Sequence, residues 1–305
     1  MSSQLASRDR PQFDQLTGPE PGPTLGVVAG VHGDEVVAIC ALEDWLAETR
    51  LRAGRVLAVT TAHPAALRAG TRRGSDDVDL NRVFPGDDEG PTASVARRLA
   101  ERLLSECDAL LTLHSWSRSG TTVPYVEVPS RGDSAVVAES RRLAAWLGVP
   151  WIEPYEWEPG LLPAAATRAG IPAAELEVGG LGRSTPDDER AVRTALTGAA
   201  SAMGLIPADP PAKATRTARR HWLTAPVEGR VRMRVQPGEA VPAGTLIAEI
   251  VDHNVREPVV SPVDGTVAIV VTYGWVPVGA EVVAIFADAG EAVHAIPPSR
   301  NGGTL

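Results

Sequence analysis

Lysine is almost missing from this chain: 28 of its 29 basic side chains are arginine, and the one lysine, Lys213, sits among Pro and Ala. Mechanisms built on a buried catalytic lysine, a Schiff base or a lysine-tethered cofactor are therefore excluded. Cysteine is nearly as scarce. Cys40 and Cys107 lie far apart between apolar residues, which fits buried thiols in a reducing compartment, and two thiols are too few for a cysteine zinc site. Aromatics at 4% and a net charge of -9 argue against a nucleic-acid surface. No apolar run approaches the roughly 18 residues of a membrane span, and residues 1–15 lack the apolar core of a signal peptide. The expectation is a soluble cytoplasmic protein with no membrane contact. Six histidines, His32, His63, His114, His221, His253 and His294, are the whole supply of imidazole for a metal or acid-base site.

The 305 residues suffice for a large domain plus a small one. Residues 1–23 are polar and rich in Pro and Gly, and are expected to be a mobile lead-in. From 24 to 205 short apolar runs alternate with helical stretches. Strands are predicted at 25–29, 55–61, 109–113 and 173–178, and helices at 35–50, 92–106, 134–147 and 186–203. Thr92 or Ser94 would cap the second helix and Ser184 or Thr185 the last. Such alternation predicts an α/β layer structure with helices on both faces of a sheet.

Residues 206–220 read as a linker. Over 221–288 the texture changes to Val-rich strands between Gly and Pro turns, with a tail at 289–305. This part repeats itself: Ala225-Pro226-Val227-Glu228-Gly229-Arg230-Val231 is echoed 36 residues later by Ser261-Pro262-Val263-Asp264-Gly265-Thr266-Val267. Two such units would bury their apolar faces against each other in a small all-β sandwich or barrel. The segment resembles the barrel-sandwich fold of biotinyl and lipoyl domains. Its repeat contains no lysine, which excludes a carrier role and leaves a structural or substrate-shielding one.

The chemistry concentrates at strand ends. The first strand runs into Gly30-Val31-His32-Gly33-Asp34-Glu35, where His32 and Glu35, three apart around a Gly turn, can converge at the carboxyl end of a strand. Catalytic zinc typically has three protein ligands, and two His plus one Glu is a known set. His114, closing the apolar run 109–113, is the strand-end histidine that completes it. Asp34 reads as a helix cap ahead of a fourth ligand. In Ala174-Glu175-Leu176-Glu177-Val178-Gly179-Gly180, two carboxylates share one face of a strand, and either could serve as the general base beside a metal. In Asp79-Leu80-Asn81-Arg82, Asn81 and Arg82 can grip a substrate carboxylate. Tyr273, at a turn of the C-terminal repeat, could reach over the site, although packing at a β turn explains it better.

The run Gly30 to Glu35, then Asp79-Leu80-Asn81-Arg82, His114 and Glu177-Val178-Gly179-Gly180, resembles the succinylglutamate desuccinylase/aspartoacylase family of zinc amidohydrolases, over roughly residues 24–205. The resemblance implies a zinc-carboxypeptidase-like α/β/α sandwich with a mixed sheet, followed by the β domain. It implies one Zn2+ per chain held by His32, Glu35 and His114, with Glu177, ahead of Glu175, as general base and acid. Arg72 matches the arginine that polarises the scissile carbonyl, and its neighbour Arg73 is an alternative. Arg168 sits where some relatives bind the substrate carboxylate, and equally where a helix end favours a cation. His63, where the family usually has Asn, is expected to be structural. The implied reaction is hydrolysis of the amide of an N-acyl amino acid or similar small anionic amide, by an enzyme that could be a homo-oligomer. The alternatives are a zinc carboxypeptidase acting on peptides and a noncatalytic metal-binding relative.

Overall fold

The computed structural model describes residues 10–207, 209–253, 255–271 and 274–296. Its first part comprises β1 (Asp14–Thr17), β2 (Glu20–Val28), α1 (Val36–Glu48), β3 (Ala53–Val59), α2 (Pro64–Ala69), a 3-10 turn (Leu80–Arg82), α3 (Pro91–Glu106), β4 (Ala109–His114) and β5 (Gly120–Pro129). It continues with α4 (Ser134–Ala145), β6 (Trp151–Tyr155), α5 (Leu162–Arg168), β7 (Ala173–Gly180) and α6 (Pro186–Ala202). Only strands follow: β8 (Thr215–Thr224), β9 (Gly229–Met233), β10 (Ala240–Val241), β11 (Leu246–Asp252), β12 (Val255–Val260), β13 (Gly265–Val271), β14 (Trp275–Val276) and β15 (Glu281–Val293).

Eleven strands form one mixed sheet in the order β1-β3-β2-β4-β7-β5-β6-β8-β15-β13-β10. The run β3-β2-β4-β7 is parallel. Its strands are apolar on both faces, as burial under helices on both sides requires. Leu25, Val27, Leu111, Leu113 and Leu176 face a core under α1, α4 and α6, whereas Val28, Leu57, Leu110 and Ala173 face a second core with residues of α3 and α5. Leu111 is fully buried, so Leu111→Ala is expected to cost about 2–5 kcal/mol. The chain leaves β2 for β3 on one side, then crosses to β4 on the other. The crevice at the carboxyl ends of β2 and β4 is thus the switch point where α/β sheets place their ligands.

Helix ends follow local chemistry where a side chain is free to cap. Thr185 accepts from the Asp188 N–H at 3.3 Å and starts α6, with Asp187, Asp188 and Glu189 in the first turn favoured by the helix dipole. Neither Thr92 nor Ser94 caps α3, whose N-cap is Gly90. Instead Asp76, reaching over from the preceding loop, accepts from the Thr92 N–H at 3.1 Å and its hydroxyl at 2.6 Å.

Several expected boundaries are corrected. Within the expected lead-in 1–23, β1 pairs antiparallel with β3 and β2 begins at Glu20; residues 1–9 lie outside the described residues. Within the expected linker, Thr215 to Arg220 already belong to β8. This strand and β15, which runs into the expected tail as far as Val293, extend the sheet of the first part, so the C-terminal part is not a detached β unit. The strand β5 is missing from the sequence reading because Pro124 interrupts its pattern; the structure accommodates this proline in a register shift between Thr122 and Tyr125.

The internal repeat is real in space. Its copies exchange partners: β10 of the first pairs with β13 of the second, and β14 of the second with β9 of the first. They share one apolar core, including Val241, Ile247, Ile250, Val267, Val276 and Val283. β13 also pairs with β5, which closes β5-β6-β8-β15-β13 into a barrel-like ring filled by Tyr125, Trp151 and Phe286.

Candidate metal centre and active site

β2 ends at Val28, and Gly30, at φ 65°, turns the chain so that His32 and Glu35 face the crevice. Glu35 is the N-cap residue of α1, yet its side chain makes no capping bond. Its carboxylate bridges two histidines instead, with Oε1 2.6 Å from His32 Nδ1 and Oε2 3.0 Å from His114 Nδ1. The Ser115 N–H donates to Oε2 at 3.2 Å. All three residues are buried, and their ligand-type atoms lie within 4.8 Å of one another.

Asp79 is a site residue that the sequence does not single out: in Asp79-Leu80-Asn81-Arg82 only Asn81 and Arg82 read as substrate contacts. Asp79 Oδ1 lies 3.0 Å from His32 Nε2, and Oδ2 accepts from Arg72 Nε at 2.9 Å. The available signal was the acidic residue opening a motif that already held Asn81 and Arg82. Burial raises the Asp79 carboxyl, but His32 and Arg72 outweigh it and hold it well below the ordinary range. Glu35 is likewise held low by His32 and His114 against its burial.

His114 ends β4 and lies directly across from Glu177 of β7, as Thr112 does from Glu175. Glu175 accepts from the Thr112 hydroxyl at 3.1 Å and lies 3.3 Å from His114 Nε2, though not in hydrogen-bonding geometry. Burial opposes protonation of His114, but Glu175 and Glu35 outweigh it and push this histidine up to about 10. Glu177 is half-buried, and its Oε2 has no hydrogen-bond partner among the described residues. Burial, with Glu35 and Glu175 adding to it against His114, pushes the Glu177 carboxyl well above its ordinary value.

Arg72 Nη1 donates to Glu35 Oε1 at 3.4 Å, while Arg73 turns away to Asp77 on the surface. Of the two arginines, Arg72 is therefore the one at the cluster. Burial works against the Arg72 charge, but Glu35 and Asp79 outweigh it and raise its pKa. Arg82 is exposed and donates to the Asn81 carbonyl at 2.7 Å. Asn81 is buried, and its Oδ1 accepts from the Leu162 N–H at 3.0 Å, holding the start of α5. That oxygen is engaged structurally.

Two expectations fail on geometry. Asp34 does not cap α1: its Oδ2 accepts from the Arg118 N–H at 3.4 Å, and its buried Oδ1 has no partner among the described residues. Arg168 is exposed at the last turn of α5, at the end of the sheet where β7 begins. β7 must run on from Ala173 to reach Glu177, about 13 Å at the usual strand rise, so Arg168 is not brought to the cluster. The helix-end explanation of that cation stands. His63 is the structural N-cap of α2, its Nδ1 accepting from the Ala66 N–H at 3.3 Å. Tyr273 lies outside the described residues.

The donor set fits a divalent cation. A neutral imidazole carries one N–H, so His32 satisfies both Glu35 and Asp79 either as an imidazolium or with a cation at one ring nitrogen and its N–H on the other. Two imidazoles and a carboxylate, buried among further carboxylates, suit zinc and its neighbours better than the oxygen-bound calcium or magnesium.

A buried His-Glu-His cluster at the switch point of a mixed α/β sheet defines a class of proteins built around a metal-type site. The chain belongs to the succinylglutamate desuccinylase/aspartoacylase family, a family of deacylases and amidohydrolases, whose catalytic-domain model it matches over residues 21–203. It is 30% identical over 245 residues to an N-alpha-acetyl-L-2,4-diaminobutyric acid deacetylase of Halomonas elongata, covering 76% of this chain and 71% of that protein. A murein peptide amidase A of Vibrio campbellii is 26% identical over 171 residues, covering 50% of this chain and 68% of that one. The solved structure of a succinylglutamate desuccinylase/aspartoacylase from Rhodobacter sphaeroides superposes with a TM-score of 0.82 at 25% identity, over 90% of this chain and 89% of that one. The product-bound ectoine utilization protein EutE (DoeB) of Ruegeria pomeroyi shares the fold, with a TM-score of 0.82 at 22% identity, over 90% and 88% of the two chains. Among the described residues, no helix is long and apolar enough to cross a membrane.

Proposed function

We propose that the chain is a zinc-dependent deacylase with a carboxypeptidase-like catalytic site, hydrolysing the amide bond of a small N-acyl amino acid. The observation that carries this reading is the Glu35 carboxylate bridging His32 and His114, with Glu177 beside His114 across the strand pair. His32, Glu35 and His114 would hold one zinc ion. When bound, zinc supplies Lewis acidity, polarising a carbonyl and bringing the pKa of water to about 7.

The protein's own groups do the rest. Glu177, whose Oε2 has no hydrogen-bond partner among the described residues, takes as a carboxylate the proton of the attacking water, and burial, which favours the protonated form, helps it hold that proton until it is delivered to the departing nitrogen. Arg72, held between Asp79 and Glu35, directs its guanidinium at the negative charge that develops on the carbonyl oxygen. Arg82, exposed and bonded only to a backbone carbonyl among the described residues, anchors the substrate carboxylate. Asn81 supports that anchor by fixing the backbone on which Arg82 is carried. The products are an amine and a carboxylate.

The likeness to a diaminobutyric acid deacetylase favours an N-acetyl amino acid as substrate, and the likeness to a peptide amidase keeps peptides as the second reading. Metal analysis of the purified protein, with a chelator-sensitive assay on N-acetyl and N-succinyl amino acids, N-acetyl diamino acids and short peptides, tests both. Turnover of peptides alone would replace the first reading by the second. Full turnover of any substrate after complete metal removal would overturn the zinc chemistry.

A further inference from the structure

We propose that Glu175 is a positioning residue for the metal centre, supporting His114 as Asp79 supports His32. The two carboxylates of β7 then divide the work, Glu175 serving the histidine and Glu177 the water. The inference rests on the zinc reading above.

Glu175 and Glu177, two apart on β7, point to the same face of the sheet. The parallel pairing with β4 sets Glu177 across from His114 and Glu175 across from Thr112. From there the Glu175 carboxylate reaches the side of the His114 ring turned away from the cluster. Nδ1 of His114 lies 3.0 Å from Glu35 Oε2, and Nε2 lies 3.3 Å from Glu175 Oε2. The contact at Nε2 falls outside hydrogen-bonding geometry and acts through charge. His32 is laid out in the same way, with Nδ1 toward Glu35 and Nε2 toward the Asp79 carboxylate.

Glu175 is only 5% exposed. A carboxylate so far inside needs a compensating partner. The Thr112 hydroxyl donates to its Oε2 at 3.1 Å, which fixes the oxygen but brings no charge. Glu127, directly across on β5, has the same sign, and Arg220 in the adjoining barrel is engaged by Glu127 and Glu153. Among the described residues, His114 is the one side chain of cationic type within ion-pair distance of Glu175. A role confined to the sheet accounts for the Thr112 bond, which a neutral Gln would make as well. It does not account for a buried charge whose counter-group is a histidine of the cluster. An imidazole that gives Nδ1 to a cation keeps its proton on Nε2, and a carboxylate beside that nitrogen fixes the ring and strengthens the ligand.

Zinc affinity, measured by competition with a chromophoric chelator in the wild type, Glu175→Gln and Glu175→Met, tests the proposal. Glu175→Gln keeps the shape and the acceptor for Thr112 and removes only the charge, whereas Glu175→Met removes both at similar length. Affinity should fall about tenfold in Glu175→Gln and up to about 100-fold in Glu175→Met. In zinc-loaded Glu175→Gln the ring 15N resonances of His114 should move while those of His32 stay in place, a pattern that general loosening of the fold would not produce. Unchanged affinity in either variant, or equal displacement of the resonances of both histidines, would overturn the proposal and leave the zinc reading intact. A wild-type protein that binds no zinc would instead overturn the zinc reading, and the proposal with it.

Discussion

Asp79 Oδ1 sits 3.0 Å from Nε2 of His32, and this contact turns the other ring nitrogen toward Glu35, 2.6 Å away. One carboxylate, 47 residues along the chain from the histidine it orients, thereby sets the ring for the whole cluster.

Asp79→Ala should therefore loosen the metal without removing a ligand. Partners of this kind are worth about 10- to 100-fold in metal affinity. Competition with a chromophoric chelator measures the change, and an affinity equal to that of the wild type would deny Asp79 its role.

Glu177 and His114 face each other across β7 and β4 but should separate cleanly in function. Glu177→Gln should keep a full complement of metal and lose about 10²- to 10⁴-fold in turnover, the range for a general acid-base group. His114→Ala should lower the metal-to-protein ratio itself. Wild-type turnover in the first variant, or an unchanged metal ratio in the second, refutes the corresponding assignment.

Stability of the chelated protein should fall between pH 6 and pH 9. Against the effect of burial, Glu175 and Glu35 raise His114 to about 10, whereas an unfolded histidine titrates near ~6.5. That contribution is complete below the unfolded value and is lost as pH rises through the folded one. Glu153, raised by burial to about 8, acts in the same direction from the ordinary carboxyl range upward. Glu35 and Asp79 are depressed, so their contributions are lost only in acid and are complete before pH 6. Urea unfolding at the two pH values checks the sum, and greater stability at pH 9 would contradict it.

Arg220→Met should destabilise the fold strongly. It would leave Glu127 and Glu153 facing each other inside the barrel without their shared cation, a loss of about 3–5 kcal/mol for a broken buried ion pair. Denaturant midpoints measure it. A drop below about 1 kcal/mol, the range of exposed pairs, would show that water reaches these carboxylates.

Much of the catalytic half is legible in the sequence because its information is local. Apolar runs mark β2, β3, β4 and β7, a Thr and an acidic first turn mark the start of α6, and His32 and Glu35 lie only three residues apart. The end of an apolar run adds His114 and the family motif selects Glu177 over Glu175, two residues that the parallel pairing of β4 with β7 makes neighbours. Other readings failed where partners come from afar. α3 is capped by Asp76 from a loop, and Glu35 stands at the cap position of α1 while its carboxylate serves the histidines. Arg168 is placed by sequence order near Glu177 but ends α5, beside the start of β7 and not its carboxyl end.

The sequence by itself determined which chemistry this protein could hold. With one lysine and two cysteines, a site had to come from a few histidines and the carboxylates near them, and their placement after apolar strands named the candidates. Tertiary structure alone decided how that site is supported and where the domains meet. Asp79, Glu175 and Arg220 take their roles from contacts across strands and loops, and β8 and β15 join the sheet of the first part through hydrogen bonds between segments far apart in the chain. Residue order fixes what each strand offers along its length, while strand pairing fixes what it faces.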